Sequence, residues 1–344
     1  MTTSSTSARQ TWIDAVKGFT IVLVVFHHVF GGVSSSLSPP EWFLRLYELS
    51  QPIRMPLFFS VAGFFAIRSL KEGWGEFIDK KVLYFLYFYV LWSLIIIGVR
   101  SSLGAFTNNP VAWTDALYIF VRPTFTIWFL YALLISFVLA KLTVTVPRLW
   151  QLLVALAVAV LAGLFGDGEW FAVKVLKRYP FFVFGVHYSR EIRTWVQAAS
   201  VPRLVVLGSG YVAVLGVIYV QGIGLGALLY YLLAFWSIGL FCSLIFLAVK
   251  FRPVERVLGY VGSRSLYIYL MHFVPAAGVR IVGVKLGMGD HPLLLAVLGT
   301  LIAVSLCLAV HRVMARYWPD SFLFKRPTAI SAPIQGMRVG DRSR

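Results

Sequence analysis

The sequence predicts an all-α fold: a polytopic membrane helical bundle of about ten transmembrane helices. Three observations carry that reading. The 344 residues are 59% hydrophobic and only 13% charged, where an ordinary soluble domain carries roughly 25% charge. Mean hydropathy is +0.81. The apolar residues also fall into separate runs of spanning length, with the basic residues gathered between them. The only cysteines, Cys242 and Cys307, sit inside apolar runs, so a disulfide framework, zinc ribbon or iron–sulfur cluster has no support. No metal is expected.

The runs follow in order along the chain. The first, 13–33, comes after Arg9. Arg68 and Lys71 close 52–70, and Lys80 and Lys81 precede 82–100. Lys141 closes 125–141, and Arg148 opens 148–165. The next run, 170–189, ends at Arg190, and Arg203 opens 203–220. A small-residue turn, Gly222 to Gly226, separates that run from 226–249, which stops at Lys250. Arg264 lies near the start of 261–284, and Arg312 closes 292–312. Short loops between such runs imply antiparallel helix packing.

Net charge is +17. On a soluble domain that would suggest nucleic acid, but a basic face is what such binding needs, and here the bases alternate with apolar runs. No nucleic-acid partner is expected; the lipid bilayer is. Positively charged loops resist translocation, and a cytoplasmic amino terminus puts most of the 31 Lys and Arg residues inside. The expectation is a bacterial cytoplasmic (inner) membrane protein with both termini cytoplasmic. Residues 11–318 form its transmembrane domain, between a disordered tail at 1–10 and a disordered cytoplasmic tail at 319–344. A cleaved leader ending near Gly31 to Ser36 is disfavoured by Asp14, Lys17, His27 and His28 within the apolar stretch.

Ionisable groups inside a span are costly, so each is a functional candidate. The first helix holds most of them. Lys17 and His28 are eleven positions apart, about 20° from a whole number of turns, so they share a helical face. His28 then lies roughly 16 Å along the axis from Lys17, and His27 points about 80° away from it. One face thus joins a membrane surface to a buried base. Asp14 lies one turn before Lys17, where it either neutralises the lysine or takes part in ligand binding. Run 170–189 carries Lys174, Lys177 and Arg178 in its outer half, with a kink expected at Pro180. These cations form either a wall for an anionic or polyhydroxylated compound or a segment lying in the interface. Arg54 and Arg122 are likewise open between a site and the interface.

The stretch from Asp14 through Lys17 and Gly18 to His28 resembles the opening motif of the acyltransferase family 3 membrane proteins, with His27 standing where many relatives carry Gly. Three further stretches agree in order: Met55 to Phe65, Ile127 to Leu134, which contains Trp128, and Ser265 to His272. The resemblance spans about residues 10–315 and is nearest to the sugar O-acetylase branch. Many relatives have paired Arg-x-x-Arg entering the third helix, whereas this chain has Lys80, Lys81 and then Tyr84.

The resemblance implies acyl transfer with acetyl-CoA or another acyl-CoA as donor. The donor's anionic part would dock near Lys17, Lys80, Lys81 and Tyr84. His28 would act as general base or transient acyl carrier, supported by Lys17 and Asp14. The acceptor would be a sugar, a glycan or a lipid-linked compound, held by Arg54, Arg122, Trp128, Lys174, Arg178 and His272. Self-association stays open. The competing class is a transporter or flippase for an amphiphilic or sugar substrate, against which the absence of a visible inverted repeat weighs.

Overall fold

The computed structural model describes residues 4–35, 37, 40–102, 111–123, 126–168 and 170–328. Residues 1–3 and 329–344, the outer parts of the two expected tails, lie outside the described residues.

The described chain is helical, with α1 (Ser4–Ser34) at its centre. Then come α2 (Glu41–Leu49), α3 (Gln51–Phe64) and α4 (Ala66–Leu70). One continuous helical stretch combines α5 (Trp74–Phe77), a π-helical segment (Ile78–Leu83) and α6 (Tyr84–Ser102). After it come α7 (Trp128–Leu142), α8 (Arg148–Phe165), α9 (Phe171–Leu176), α10 (Tyr179–His187) and α11 (Ser189–Gln197). The rest of the bundle is α12 (Val201–Val220), α13 (Ala227–Ala248), α14 (Arg252–Ser263), α15 (Ser265–Met271), α16 (Phe273–Lys285) and α17 (Pro292–Tyr317).

Among the described residues six helices are long and apolar enough to span a membrane, and a seventh span results if α15 and α16, bent by 56°, count as one. The other three predicted runs, 52–70, 125–141 and 170–189, fold as shorter or broken helices. Their positions explain why that is tolerated. Leu57, Phe59, Phe181, Phe182 and Val183 have no exposed surface, so α3 and α10 are enclosed by protein, where interrupted backbone can be satisfied without lipid contact. The outward faces of α8, α12 and α17, by contrast, expose Leu153, Leu161, Val206, Val217, Leu301 and Ile302, an apolar surface that a bilayer covers.

Two close helix contacts set the core. A Cβ on Gly262 of α14 would lie 1.7 Å from the Asp14 carbonyl oxygen, and one on Gly18 would lie 2.1 Å from that of Leu258. Only hydrogen at both positions lets α1 and α14 approach so closely. The same device joins α3 to α10. A Cβ on Gly185 would sit 2.0 Å from the Ser60 carbonyl oxygen, and the Ser60 hydroxyl donates to the Phe181 carbonyl at 3.0 Å.

Prolines account for two of the breaks. Pro180 has no N–H for the Leu176 carbonyl, and α9 ends there before α10 begins at Tyr179, as the expected kink requires. Pro275 likewise cannot bond Met271, and the chain turns at His272. Run 261–284, expected as one helix, is divided among α14, α15 and α16, the second break ahead of Pro275 and the first at Arg264, where no proline stands.

Residues 319–328 depart from the expected disordered tail. The Tyr87 hydroxyl donates to the Phe322 carbonyl at 2.7 Å and the Trp92 indole to that of Leu323 at 3.0 Å, both from α6. The Phe324 ring stacks on Trp92, and Arg326 pairs with Asp79 at 2.6 Å. The strap therefore begins after α17 and returns along the α5–α6 rod.

Candidate active site inside the bundle

Three helices, α3, α7 and α10, begin at the same level of the bundle, and α1 passes them in the opposite direction. Lys17 of α1 lies with its Nζ 4.2 Å from the centre of the Phe65 ring, at the far end of α3, while His28 lies with Met55 and Phe58, near its start. About ten residues on each helix separate the two levels, so the face shared by Lys17 and His28 is the one that α1 turns toward α3. Lys17 pairs with Asp14 at 2.8 Å, both side chains being about one-third exposed.

A cavity of about 40 Å³ opens at the upper level. Val24, His27 and His28 of α1 line it together with Arg54, Met55 and Phe58 of α3. Thr126, Trp128 and Phe129 at the start of α7, and Tyr269 of α15, complete the wall. The volume holds a few small groups, enough for reacting atoms but not for a whole sugar or cofactor. A larger groove, about 430 Å³, runs between Trp195, Phe235 and Leu240, but its lining is almost wholly apolar.

His272 joins this site through the bend. Its ring centre lies 4.9 Å from that of His28, and its Nδ1 is 2.7 Å from the Tyr269 carbonyl oxygen. A carbonyl only accepts, so Nδ1 carries the proton, and a neutral ring then has its lone pair on Nε2. That Nε2 is buried, with no partner among the described residues. The Tyr269 hydroxyl donates to the Thr126 carbonyl at 2.9 Å, fixing the segment ahead of α7 against α15. His27 also belongs to the cavity, although its turn of helix α1 pointed it away from Lys17. It stacks on Tyr47 of α2, ring centres 4.9 Å apart, and is hydrogen-bonded to the Tyr47 hydroxyl.

The cations expected at the site divide. Arg54 lines the cavity. Arg178 lies 5.0 Å over the Trp128 ring and donates to the Lys174 carbonyl at 2.8 Å, so Lys174 takes part through its backbone. Arg122 is exposed and is not in the cavity wall. At the opposite level, Lys80 is engaged by Glu72 and Glu76 on the exposed side of the π-helical segment. Lys81 instead lies 4.8 Å over Phe137, and Tyr84 packs its ring on Phe88. Lys141, counted in the sequence only as an inner charge, donates to the Leu70 carbonyl at 2.7 Å and so caps α4.

Sequence reasoning passed over Tyr47, Thr126, Phe129 and Tyr269. For Tyr47 a signal existed: Phe43 and Tyr47, four apart in a short amphipathic stretch, both contact Phe30 of α1. Among the described residues no group of His, Cys, Asp and Glu could hold a metal ion.

Apolar spans around a histidine-lined cavity, with protein-covered broken helices beside it, define an integral membrane protein. The chain belongs to the acyltransferase 3 family, whose acyltransferase domain matches residues 10–312. It is therefore a membrane acyltransferase. The chain is similar to the inner membrane protein YcfT of Escherichia coli K12, 25% identical over 77% of this chain and 79% of that protein. It is also similar to the nodulation protein NolL of Sinorhizobium fredii NGR234, 26% identical over 54% of this chain and 50% of that protein. For NolL of Mesorhizobium japonicum the identity is 25% over 55% and 50%. The match thus spans about half the length of the two nodulation proteins. No solved structure matches the chain.

Proposed function

We propose that the protein transfers an acyl group, acetyl in the simplest case, from cytoplasmic acyl-CoA to a hydroxyl of a sugar, glycan or lipid-linked acceptor. The observation that carries the reading is the ring of His28, which lines the small cavity, against that of the buried His272. His28 takes the proton of the acceptor hydroxyl as its oxygen attacks the thioester carbonyl carbon. The carbon–sulfur bond then breaks, and the leaving thiolate receives the proton from the His28 imidazolium. His272, held by the Tyr269 carbonyl and packed beside the His28 ring, positions His28. The donor enters from the level of Lys17, Lys81 and Tyr84, and the pantetheine arm follows the α1 face toward His28. Both termini face the cytoplasm.

The test is CoA thiol release from acetyl-CoA by membranes containing the protein, with glycan-rich envelope extract as acceptor. His28→Ala is expected to lower the rate by about 10² to 10⁴, and His27→Ala by no more than about tenfold. Equal release by wild type and His28→Ala would overturn the assignment.

A further inference from the structure

Two guanidinium groups reach the cavity level, and neither meets a carboxylate among the described residues. Arg54 lies in the first turn of α3 and forms part of the cavity wall. Arg178 precedes α10 and covers the Trp128 ring; one terminal nitrogen is bound to the Lys174 carbonyl, and its Nε is buried without a partner. Trp128 links the two: it lines the cavity with Arg54 and His27 and lies beneath Arg178. None of the ion pairs among the described residues uses either arginine. A structural arginine inside a bundle is paired or turns its head to water. Here two part-buried like charges stand at one level with no acid beside either among the described residues; Arg178 is held by a backbone carbonyl and the Trp128 ring.

The surroundings add donors of the same kind. Thr126, 4% exposed, lines the cavity with its hydroxyl oxygen buried and unpartnered. Helices α3, α7 and α10 all point their amino-terminal ends at this level, and each is long enough to carry a positive end. Everything here favours an oxyanion, and among the described residues no carboxylate lines the cavity to compete with one.

On the proposed acyl-transfer reading, the oxyanion belongs to the acceptor. The phosphates of CoA stand a whole pantetheine arm away from the thioester carbonyl. With that carbonyl at His28 they fall toward Lys17, at the other end of the α1 face. We infer that the acceptor is an anionic polyol, a hydroxylated compound whose carboxylate or phosphate is bound by Arg54 and Arg178 beside the hydroxyl that His28 deprotonates. A neutral sugar leaves both guanidiniums unpaired, so the site rejects it.

Equilibrium binding to the full chain in detergent tests this with four probes: glucuronate, glucose 1-phosphate, glucose and CoA. At least one charged sugar should bind tenfold or more tightly than glucose, and which of them does so tells carboxylate from phosphate. Arg54→Gln and Arg178→Gln should each weaken that binding at least tenfold, while Arg54→Lys and Arg178→Lys, which keep the charge, restore part of it and serve as folding controls. His28→Ala should bind the charged sugar like wild type although its transfer rate falls by about 10² to 10⁴. Glucose binding as tightly as both charged sugars overturns the inference, as does charged-sugar binding indifferent to both arginine changes. So does CoA binding that alone depends on the arginines. If His28→Ala still consumes thioester while charged-sugar binding needs the arginines, the His28 mechanism falls and the anion site stands.

Discussion

His272 shows how a single residue acquires a role from its backbone. The proton on Nδ1 is committed to the Tyr269 carbonyl, the other nitrogen is buried with no partner among the described residues, and the ring packs beside that of His28. His272→Asn should lower thiol release by about 10- to 100-fold and change the shape of its pH profile, with the KM for acetyl-CoA little altered. An unchanged profile would reduce His272 to packing. Tyr47 acts one step further out. Tyr47→Phe removes a hydrogen bond from a half-buried imidazole but keeps the stacked ring, so the expected cost is about 1 kcal/mol of stability, read from thermal unfolding in detergent.

At the scale of elements, α14 offers a paired comparison three residues apart. Gly262 faces α1, and a methyl group there would collide with the Asp14 backbone; a Cβ on Gly259 meets nothing within 4 Å. Gly262→Ala should therefore destabilise the protein by about 1 to 3 kcal/mol through overpacking. Gly259→Ala should leave it unchanged or add about 0.5 to 1 kcal/mol through helix propensity. Thermal unfolding of the two variants decides; similar shifts would mean that the α1–α14 contact is looser than its geometry. The bend at His272 is the second element-scale device. Pro275→Ala restores a backbone donor to the Met271 carbonyl and should straighten the α15–α16 join. Activity should then fall by more than the loss of stability accounts for, because the ring of His272 moves relative to His28.

Across the whole molecule, the strap after α17 ties the end of the chain to the α5–α6 rod. Removing residues from 319 onward deprives Tyr87 and Trp92 of their acceptors and leaves Asp79 without Arg326. That truncation should lower the unfolding temperature, whereas removal of 329–344 keeps every one of those contacts. Arg326 pairs with Asp79, which adjoins Lys80; Lys80 meets Glu72, and Lys141 caps the turn before it. The end of the strap thus lies at the same end of the bundle as Lys17 and Phe65. Cysteines introduced near residue 12 and residue 325 should accordingly be labelled from one side of the membrane, and a cysteine at Gly289 from the other. Labelling of the first two from opposite sides would contradict the arrangement.

By itself the sequence determined the all-α membrane class and the shared helical face of Lys17 and His28, and it marked Pro180 as an interruption. Each of these follows from local rules: apolar length, 3.6 residues per turn and a missing N–H. Tertiary structure alone decided that His272 meets His28, that Arg178 covers Trp128, that Arg122 stays outside and that residues 319–328 dock on α6. It also showed that three of the apolar runs fold as helices too short to span, α3, α7 and α10, packed among their neighbours. The physical reason is that helical period fixes direction only around one axis. Which side chains meet across the bundle depends on the heights at which helices start and on the glycine contacts that set their spacing, and both belong to pairs of segments far apart in the chain.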